Sequence, residues 1–161
     1  MIWLRFLEKV FSNLYSIFIK SLVMNMGKTS PLFSVIIPTY SRHVELINCL
    51  SSLIQISYKN YEIIVINDVK SPDLMELVNQ YGAKYFHNGR ESYFAKSRKM
   101  GTRLSKGEIL FFVDDDNVFD KDTILNLVNK FLEIRNVGLL GSLMLNSQKE
   151  LWFCGARTNW I

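Results

Sequence analysis

The chain has 161 residues, of which 48% are hydrophobic, 13% aromatic and 21% charged, a balance that suits one globular domain with an appendage and excludes disorder over most of its length. A formal charge of +4 favours phosphorylated ligands or anionic lipid, but the Lys/Arg-dense blocks of a nucleic-acid binder are missing, so no nucleic-acid partner is expected. Cys49 and Cys154 lie far apart without metal-type spacing and are expected to be reduced thiols in a cytoplasmic setting.

Residues 1–30 differ in texture from the rest. Polar Arg5, Glu8, Lys9, Ser12, Asn13, Ser16 and Lys20 recur at three- and four-residue steps, with Leu4, Leu7, Phe11, Leu14 and Phe18 on the other side. Residues 1–26 are therefore expected to form an amphipathic helix. The uncharged stretch 10–19 is too short to span a bilayer, and no small-residue cleavage pattern follows it. Two destinations remain for the apolar face. One is a membrane interface, which gives a peripheral contact at the inner face of the cytoplasmic membrane; the other is the protein's own body. Gly27-Lys28-Thr29-Ser30-Pro31 breaks the period and is expected to be a linker, leading into a unit over residues 31–161.

That unit alternates strands and helices. Residues 32–37 form a short buried strand expected to stop at Pro38, which lacks a ladder donor. A helix over 44–56 places Leu46, Ile47, Leu50, Leu53 and Ile54 at helical spacing. Residues 61–66 form a second strand closing on Asn67-Asp68, and a helix over 72–81 has Pro72 at a permitted first-turn position. Next come a weaker strand over 83–86 and a helix over 93–105 that ends before Gly107. Residues 109–113, apolar and rich in β-branched and aromatic types, read as a strand buried on both faces. A helix over 121–134 turns Ile124, Leu127, Val128, Phe131 and Leu132 inward, and 137–145 and 151–154 look like two more strands. This order predicts an α/β fold, a mainly parallel sheet with helices on both faces.

The strand over 109–113 ends in Asp114-Asp115-Asp116. Three adjacent carboxylates repel one another unless a cation shares them. Hard oxygen ligands in a short cluster suit Mg²⁺ or Mn²⁺, which takes one or two carboxylates and leaves its other positions to water and phosphate oxygens. In an open parallel sheet the carboxyl ends of the strands share one edge, so Thr39-Tyr40, Asn67-Asp68 and the three acids are expected to line one crevice. No Gly-x-x-x-x-Gly-Lys-Ser/Thr loop is present, and the first strand runs into Pro38-Thr39-Tyr40, not into a Gly-x-Gly-x-x-Gly turn. Without a glycine cradle, phosphates must be held by a metal on carboxylates, helped by Lys96, Arg98 or Lys99.

Three stretches now carry a family resemblance: Phe33-Ser34-Val35-Ile36-Ile37-Pro38-Thr39-Tyr40-Ser41-Arg42, then Tyr61-Glu62-Ile63-Ile64-Val65-Ile66-Asn67-Asp68, then Ala95 to Gly107 leading into Phe112-Val113-Asp114-Asp115-Asp116. Together they resemble the nucleotide-sugar-binding half of family 2 glycosyltransferases with the GT-A fold, over about residues 33–134. The resemblance implies a Rossmann-like three-layer α/β/α architecture whose carboxy-terminal part is missing. It also implies a hexosyl-type transferase that moves sugar from a nucleotide-diphosphate donor to a lipid-linked or polysaccharide acceptor of the cell envelope. Tyr40 would pack on the nucleobase and Asp68 accept from it, with Pro38, Thr39, Arg42, Lys96 and Arg98 lining the nucleotide site. The acidic cluster would be the DXD motif, with Asp114 or Asp115 on the ribose and Asp116, then Asp114, as ligands of Mg²⁺ or Mn²⁺.

An acceptor hydroxyl needs a general base, in this family a carboxylate downstream of the metal motif. It is expected beyond Ile161, which makes this chain a truncated enzyme; Phe153-Cys154-Gly155-Ala156 resembles the turn before the acceptor half. Two departures stand out. Asn67 replaces the first acid of the family's second-strand pair, and Ser97-Arg98-Lys99-Met100-Gly101 stands where Ala-Arg-Asn-x-Gly is usual. Plain readings stand beside the functional ones: Asp120 and Asp122 suit a helix start, Lys96 and Arg98 a solvated helix face, Asp68 a turn or cap. His43 at a helix start and His87 in a loop lack metal-spaced partners. The alternatives in function are a non-catalytic nucleotide-sugar-binding module and a receiver-like phosphoacceptor domain, although a receiver's first strand should feed an acidic pair.

Overall fold

A four-stranded parallel sheet organises the computed structural model, which describes residues 30–89, 94–134 and 137–153. Its strands are β1 (Phe33–Thr39), β2 (Tyr61–Asn67), β3 (Lys84–His87) and β4 (Ile109–Phe112), in the order β3-β2-β1-β4. The helices are α1 (His43–Leu53), α2 (Pro72–Gln80), α3 (Phe94–Leu104) and α4 (Thr123–Glu133). The described residues up to Ile124 form one compact unit, and those from Leu125 onward belong to a second. The expected amphipathic helix over 1–26, Tyr93 and Cys154 lie outside the described residues. Among the described residues no helix is long and apolar enough to cross a membrane.

The connections β1-α1-β2 and β2-α2-β3 step outward in one direction, whereas β3-α3-β4 steps back past β1. Right-handed crossovers then put α1 and α2 on one face of the sheet and α3 on the other, the three-layer α/β/α arrangement. β1 is buried along its whole length, as expected of a strand covered on both faces. Ile36, Ile37, Leu46, Leu50, Leu53, Ile64, Ile66 and Leu74 are fully buried around it. Each such side chain contributes roughly 1.5–3 kcal/mol relative to exposure. Gly101 lets α3 approach the sheet, since a Cβ there would collide with Ile36 Cγ2.

Several expected boundaries are corrected. β1 does not stop before Pro38 but runs through it to Thr39. Val113 N–H donates to the Ile36 carbonyl at 3.1 Å, so alternate residues from Ile36 onward turn their backbone polar groups toward the β4 side. The missing Pro38 N–H therefore falls just past Ile36, the last residue of β1 paired with β4, while Thr39 still pairs with Asn67 in β2. Among the described residues β4 stands at the end of the sheet and is not buried on both faces, with Phe112 44% exposed. His87 closes β3 and is not in a loop. Ser30 and Pro31 are no loose linker end: Asn60 Nδ2 donates to the Ser30 carbonyl at 2.8 Å and the Tyr58 hydroxyl to the Pro31 carbonyl.

The far ends of the strands are tied by one carboxylate. Glu62 accepts from Ser34 Oγ, Lys84 Nζ and the Lys106 N–H, each at 2.6 Å, and Ser34 Oγ accepts from the Gly107 N–H at 2.8 Å. Burial opposes ionisation of Glu62, but these donors and the Lys84 charge outweigh it and hold the carboxyl down at about 2. The cluster links β1, β2, β3 and the entry to β4, and so fixes the register of strands whose other ends carry the polar groups.

In the second unit, β5 (Met144–Leu145) and β6 (Leu151–Phe153) form a two-stranded antiparallel pair. The expected strand over 137–145 shrinks to its last two residues; Gly138 and Gly141 fall in the part that is not strand. Asn146 shapes the turn, its Oδ1 accepting from the N–H groups of Gln148 at 3.0 Å and Glu150 at 2.8 Å. In α4, Ile124 and Val128 are buried as expected, whereas Leu132 is exposed.

Candidate functional site

The carboxyl ends of β1, β2 and β4 meet at one edge of the sheet, where the strand order reverses between β1 and β4. The Asp68 N–H donates to the Thr39 carbonyl at 3.2 Å, so the ends of β1 and β2 are in direct contact. Tyr40 follows, 53% exposed, and the chain turns at Ser41 with φ of 53°, an unusual left-handed conformation for a non-glycine residue. The Ser41 N–H donates to Asn67 Oδ1 at 3.1 Å, which holds that turn.

The three acids separate by burial. Asp115 is buried and turned back to the sheet: Oδ2 accepts from Thr39 Oγ1 at 2.7 Å and Oδ1 from Arg42 Nη1 at 3.0 Å. Asp114 and Asp116 are half-exposed on either side of it, at 51% and 52%. Arg98 Nη2 lies 2.6 Å from Asp114 Oδ1, and Arg42 Nη1 3.4 Å from Asp116 Oδ2. The Asn117 N–H closes a turn on the Asp114 carbonyl at 3.2 Å. Further along, the Phe119 ring packs edge-on against Phe111 at 5.8 Å and its N–H donates to Ser52 Oγ at 3.1 Å, which anchors the segment after the acids.

Burial pushes the Asp115 carboxyl above its ordinary range, against the Thr39 hydrogen bond and the Arg42 charge, with Asp116 and Glu45 adding to the upward push. Arg42 is held protonated chiefly by Asp115, while desolvation pulls the other way and Glu45 and Asp116 assist. The ion pair favours both charges; for Asp115 desolvation is the larger effect. Cys49, buried on α1, has its thiol pushed to about 12 by burial and by the Asp115 and Asp116 charges, so it is no nucleophile.

Asp68 Oδ1 accepts from Ser97 Oγ at 2.6 Å and from Asn88 Nδ2 at 3.3 Å. Sequence reasoning missed Ser97 and Asn88 as members of the site; the one visible signal was a serine where alanine is usual. Pro38 is buried in β1, and Thr39 reaches the site through Asp115. Arg98 is drawn to the acids, and its Nε is buried without an acceptor among the described residues. Lys96 and Lys99 are exposed on α3, and no ion pair among the described residues draws either into the cluster. His43 Nδ1 is engaged with the Ser41 carbonyl at 2.9 Å.

The donor set can be tested against a divalent cation. No group of three or more His, Cys, Asp or Glu able to cage a metal occurs among the described residues. Two half-exposed carboxylates of hard oxygens, Asp114 and Asp116, nevertheless fit Mg²⁺ or Mn²⁺, ions that take few protein ligands and complete their shell with water and phosphate oxygens.

The sequence profile of "Glycosyl transferase family 2" matches residues 34–157. An uncharacterized glycosyltransferase of Rickettsia bellii is 36% identical over 107 residues, which make up 64% of this chain and 15% of that protein, so the chain spans only a small part of that relative. Among solved structures, a mannosyltransferase from Pyrobaculum calidifontis in complex with GDP-Man and Mn²⁺ superposes with a TM-score of 0.62 at 19% identity, covering 77% of this chain and 41% of that one. TarS 1-349 of S. aureus in complex with UDP-GlcNAc gives 0.59 at 23% identity, over 69% and 37%. At these identities the likeness shows the GT-A fold alone.

Proposed function

The chain belongs to glycosyl transferase family 2, and from that premise we propose that the sheet edge at Tyr40, Asp68, Asp114 and Asp116 binds the nucleoside diphosphate of a sugar donor for glycosyl transfer. The observation that carries this reading is the convergence, across a buried Thr39–Asp115 hydrogen bond, of an exposed aromatic, a fixed carboxylate and two half-exposed acids. Membership of the family displaces the receiver-like alternative.

Each residue has work suited to its chemistry. The Tyr40 ring offers a stacking face for a base, and Asp68, an acceptor when ionised, suits the imide-type N–H of uracil or guanine. Cytosine and adenine carry no N–H at the corresponding ring position. Arg98, whose buried Nε–H has no acceptor among the described residues, would donate to the diphosphate from beside Asp114. Asp115 acts through others, keeping Arg42 and the end of β1 in place. Asp114 and Asp116 are the residues that would hold Mg²⁺ or Mn²⁺, which when bound supplies Lewis-acid neutralisation of charge growing on the leaving diphosphate. The reading extends to a lipid-linked or polysaccharide acceptor at the inner face of the cytoplasmic membrane, supported by the family resemblance and by the amphipathic pattern of residues 1–26.

Calorimetry with UDP, GDP, CDP and ADP, each with Mn²⁺ and with chelator, tests the donor site. UDP or GDP should bind more tightly than CDP and ADP, and only with the metal present. Asp116→Ala should weaken that binding by about tenfold or more, the scale of 1.4 kcal/mol. Equal affinity with and without Mn²⁺ would sink the metal-assisted reading.

A further inference from the structure

Asn67 ends β2 with its side chain fully buried, and its hydrogen bonds go beyond what a strand end requires. The backbone serves the sheet, with the Asn88 N–H donating to the Asn67 carbonyl at 3.0 Å. The side-chain Oδ1 accepts two backbone N–H groups, from Ser41 at 3.1 Å and from Val69 at 3.3 Å. On the other side of the amide, Nδ2 donates to the Tyr85 hydroxyl at 3.1 Å. That hydroxyl in turn donates to the Val69 carbonyl at 3.3 Å and accepts from the Ser71 N–H at 3.4 Å.

Ser41 directly follows Tyr40, and Val69 directly follows Asp68. A single buried amide oxygen thus holds the residues immediately after both groups proposed to meet the nucleobase. Ser41 also sits at φ 53°, a conformation disfavoured for a non-glycine residue, and its N–H is held there by the Asn67 acceptor. We infer that Asn67 is a positioning residue that sets the placement of the Tyr40 ring relative to the Asp68 carboxylate, and so the fit to the base, without touching the ligand. This inference rests on the proposed donor site. It also accounts for an amide at a position where the family usually has an acid: Oδ1 supplies the acceptor that both loops need, and Nδ2 adds a donor that fastens β3 through Tyr85.

The test pairs a probe with a base and one without. With Mn²⁺ present, binding of UDP or GDP, whichever is tighter, is compared with binding of inorganic pyrophosphate by calorimetry. Asn67→Leu, which keeps the volume but loses both hydrogen-bonding groups, should weaken the nucleotide by about tenfold and leave pyrophosphate within about twofold. Asn67→Asp, which keeps the acceptor oxygens, should stay within about threefold of the parent for both. Equal losses for nucleotide and pyrophosphate, or Asn67→Asp falling as far as Asn67→Leu, would overturn the inference. Tyr40→Ala and Asp68→Ala belong in the same series. If both leave nucleotide affinity unchanged, the base-contact reading fails; if both weaken it while Asn67→Leu does not, only the role of Asn67 fails. Should Asn67→Leu not fold, amide hydrogen exchange keeps the question open to refutation. Ser41 and Val69 must be protected in the parent and in Asn67→Asp, and exchange at unprotected rates would contradict the role.

Discussion

Asp115 and Glu62 are both shielded carboxylates, and their surroundings drive them in opposite directions. Asp115 loses more to burial than Thr39 and Arg42 return, so its carboxyl is pushed up; Glu62 overcomes burial through Lys84, Ser34 and the Lys106 N–H and drops to about 2. Because the folded Glu62 value lies below its ordinary 4.5, its contribution to stability is complete above about 4.5 and is lost as the pH falls toward 2. Glu62→Gln should cost about 1–3 kcal/mol at neutral pH, the scale of hydrogen bonds to a charged group. In paired melts of parent and variant, the gap in Tm should be present at pH 6 and close as the pH drops below 3; a gap that is flat across this range would refute the assignment. The same scale separates the three acids. In sequence they are adjacent acids, but both Asp115 oxygens are engaged with Thr39 and Arg42 at the buried end, whereas Asp114 and Asp116 stay half-exposed, paired with Arg98 and Arg42.

At the scale of elements, the turn from α3 into β4 depends on a glycine. A Cβ at Gly107 would lie within 3 Å of Ser34 Oγ, Ser34 N and the Leu32 carbonyl oxygen, two of them backbone atoms that cannot yield cheaply. Gly107→Ala should therefore destabilise the protein by about 1–3 kcal/mol or more, as overpacking does, and should do so without metal or nucleotide present. Urea unfolding measures it, and a midpoint shift of less than the error would count against so close an approach. Strand and helix order was legible because hydrophobic periods of two and 3.6 residues are local. Element ends were not. Whether Pro38 ends a strand depends on which neighbour its missing N–H faces, and whether residues 137–143 form a strand depends on having a partner.

At the scale of the whole molecule, the reversal of strand order between β1 and β4 places the site. Thr39 and Asp115 are 76 residues apart in sequence and share a hydrogen bond because the β3-α3-β4 crossover returns the chain to the side of β1 opposite β2. From the amphipathic pattern of residues 1–26 we propose a peripheral contact with a membrane interface. If that segment's apolar face lies in a membrane interface, deleting residues 1–26 should lower co-sedimentation with phosphatidylglycerol vesicles; partitioning that does not change would rule the segment out as the contact.

The amino-acid sequence alone determined the α/β order, the polar residues at three strand ends, and the run of three acids that follows the strand at 109–113. It also carried the family motifs, which residues 34–157 match. Tertiary structure decided which acid turns inward, that Arg98 and not Lys96 joins the cluster, and that Ser97 and Asn88 hold Asp68. It alone revealed Asn67 beneath the turns that follow Tyr40 and Asp68. The physical reason is one of range. Periodicity and residue type report on neighbours a few positions away, whereas hydrogen bonds between strand ends and loops form only once the crossovers have brought distant segments onto one edge.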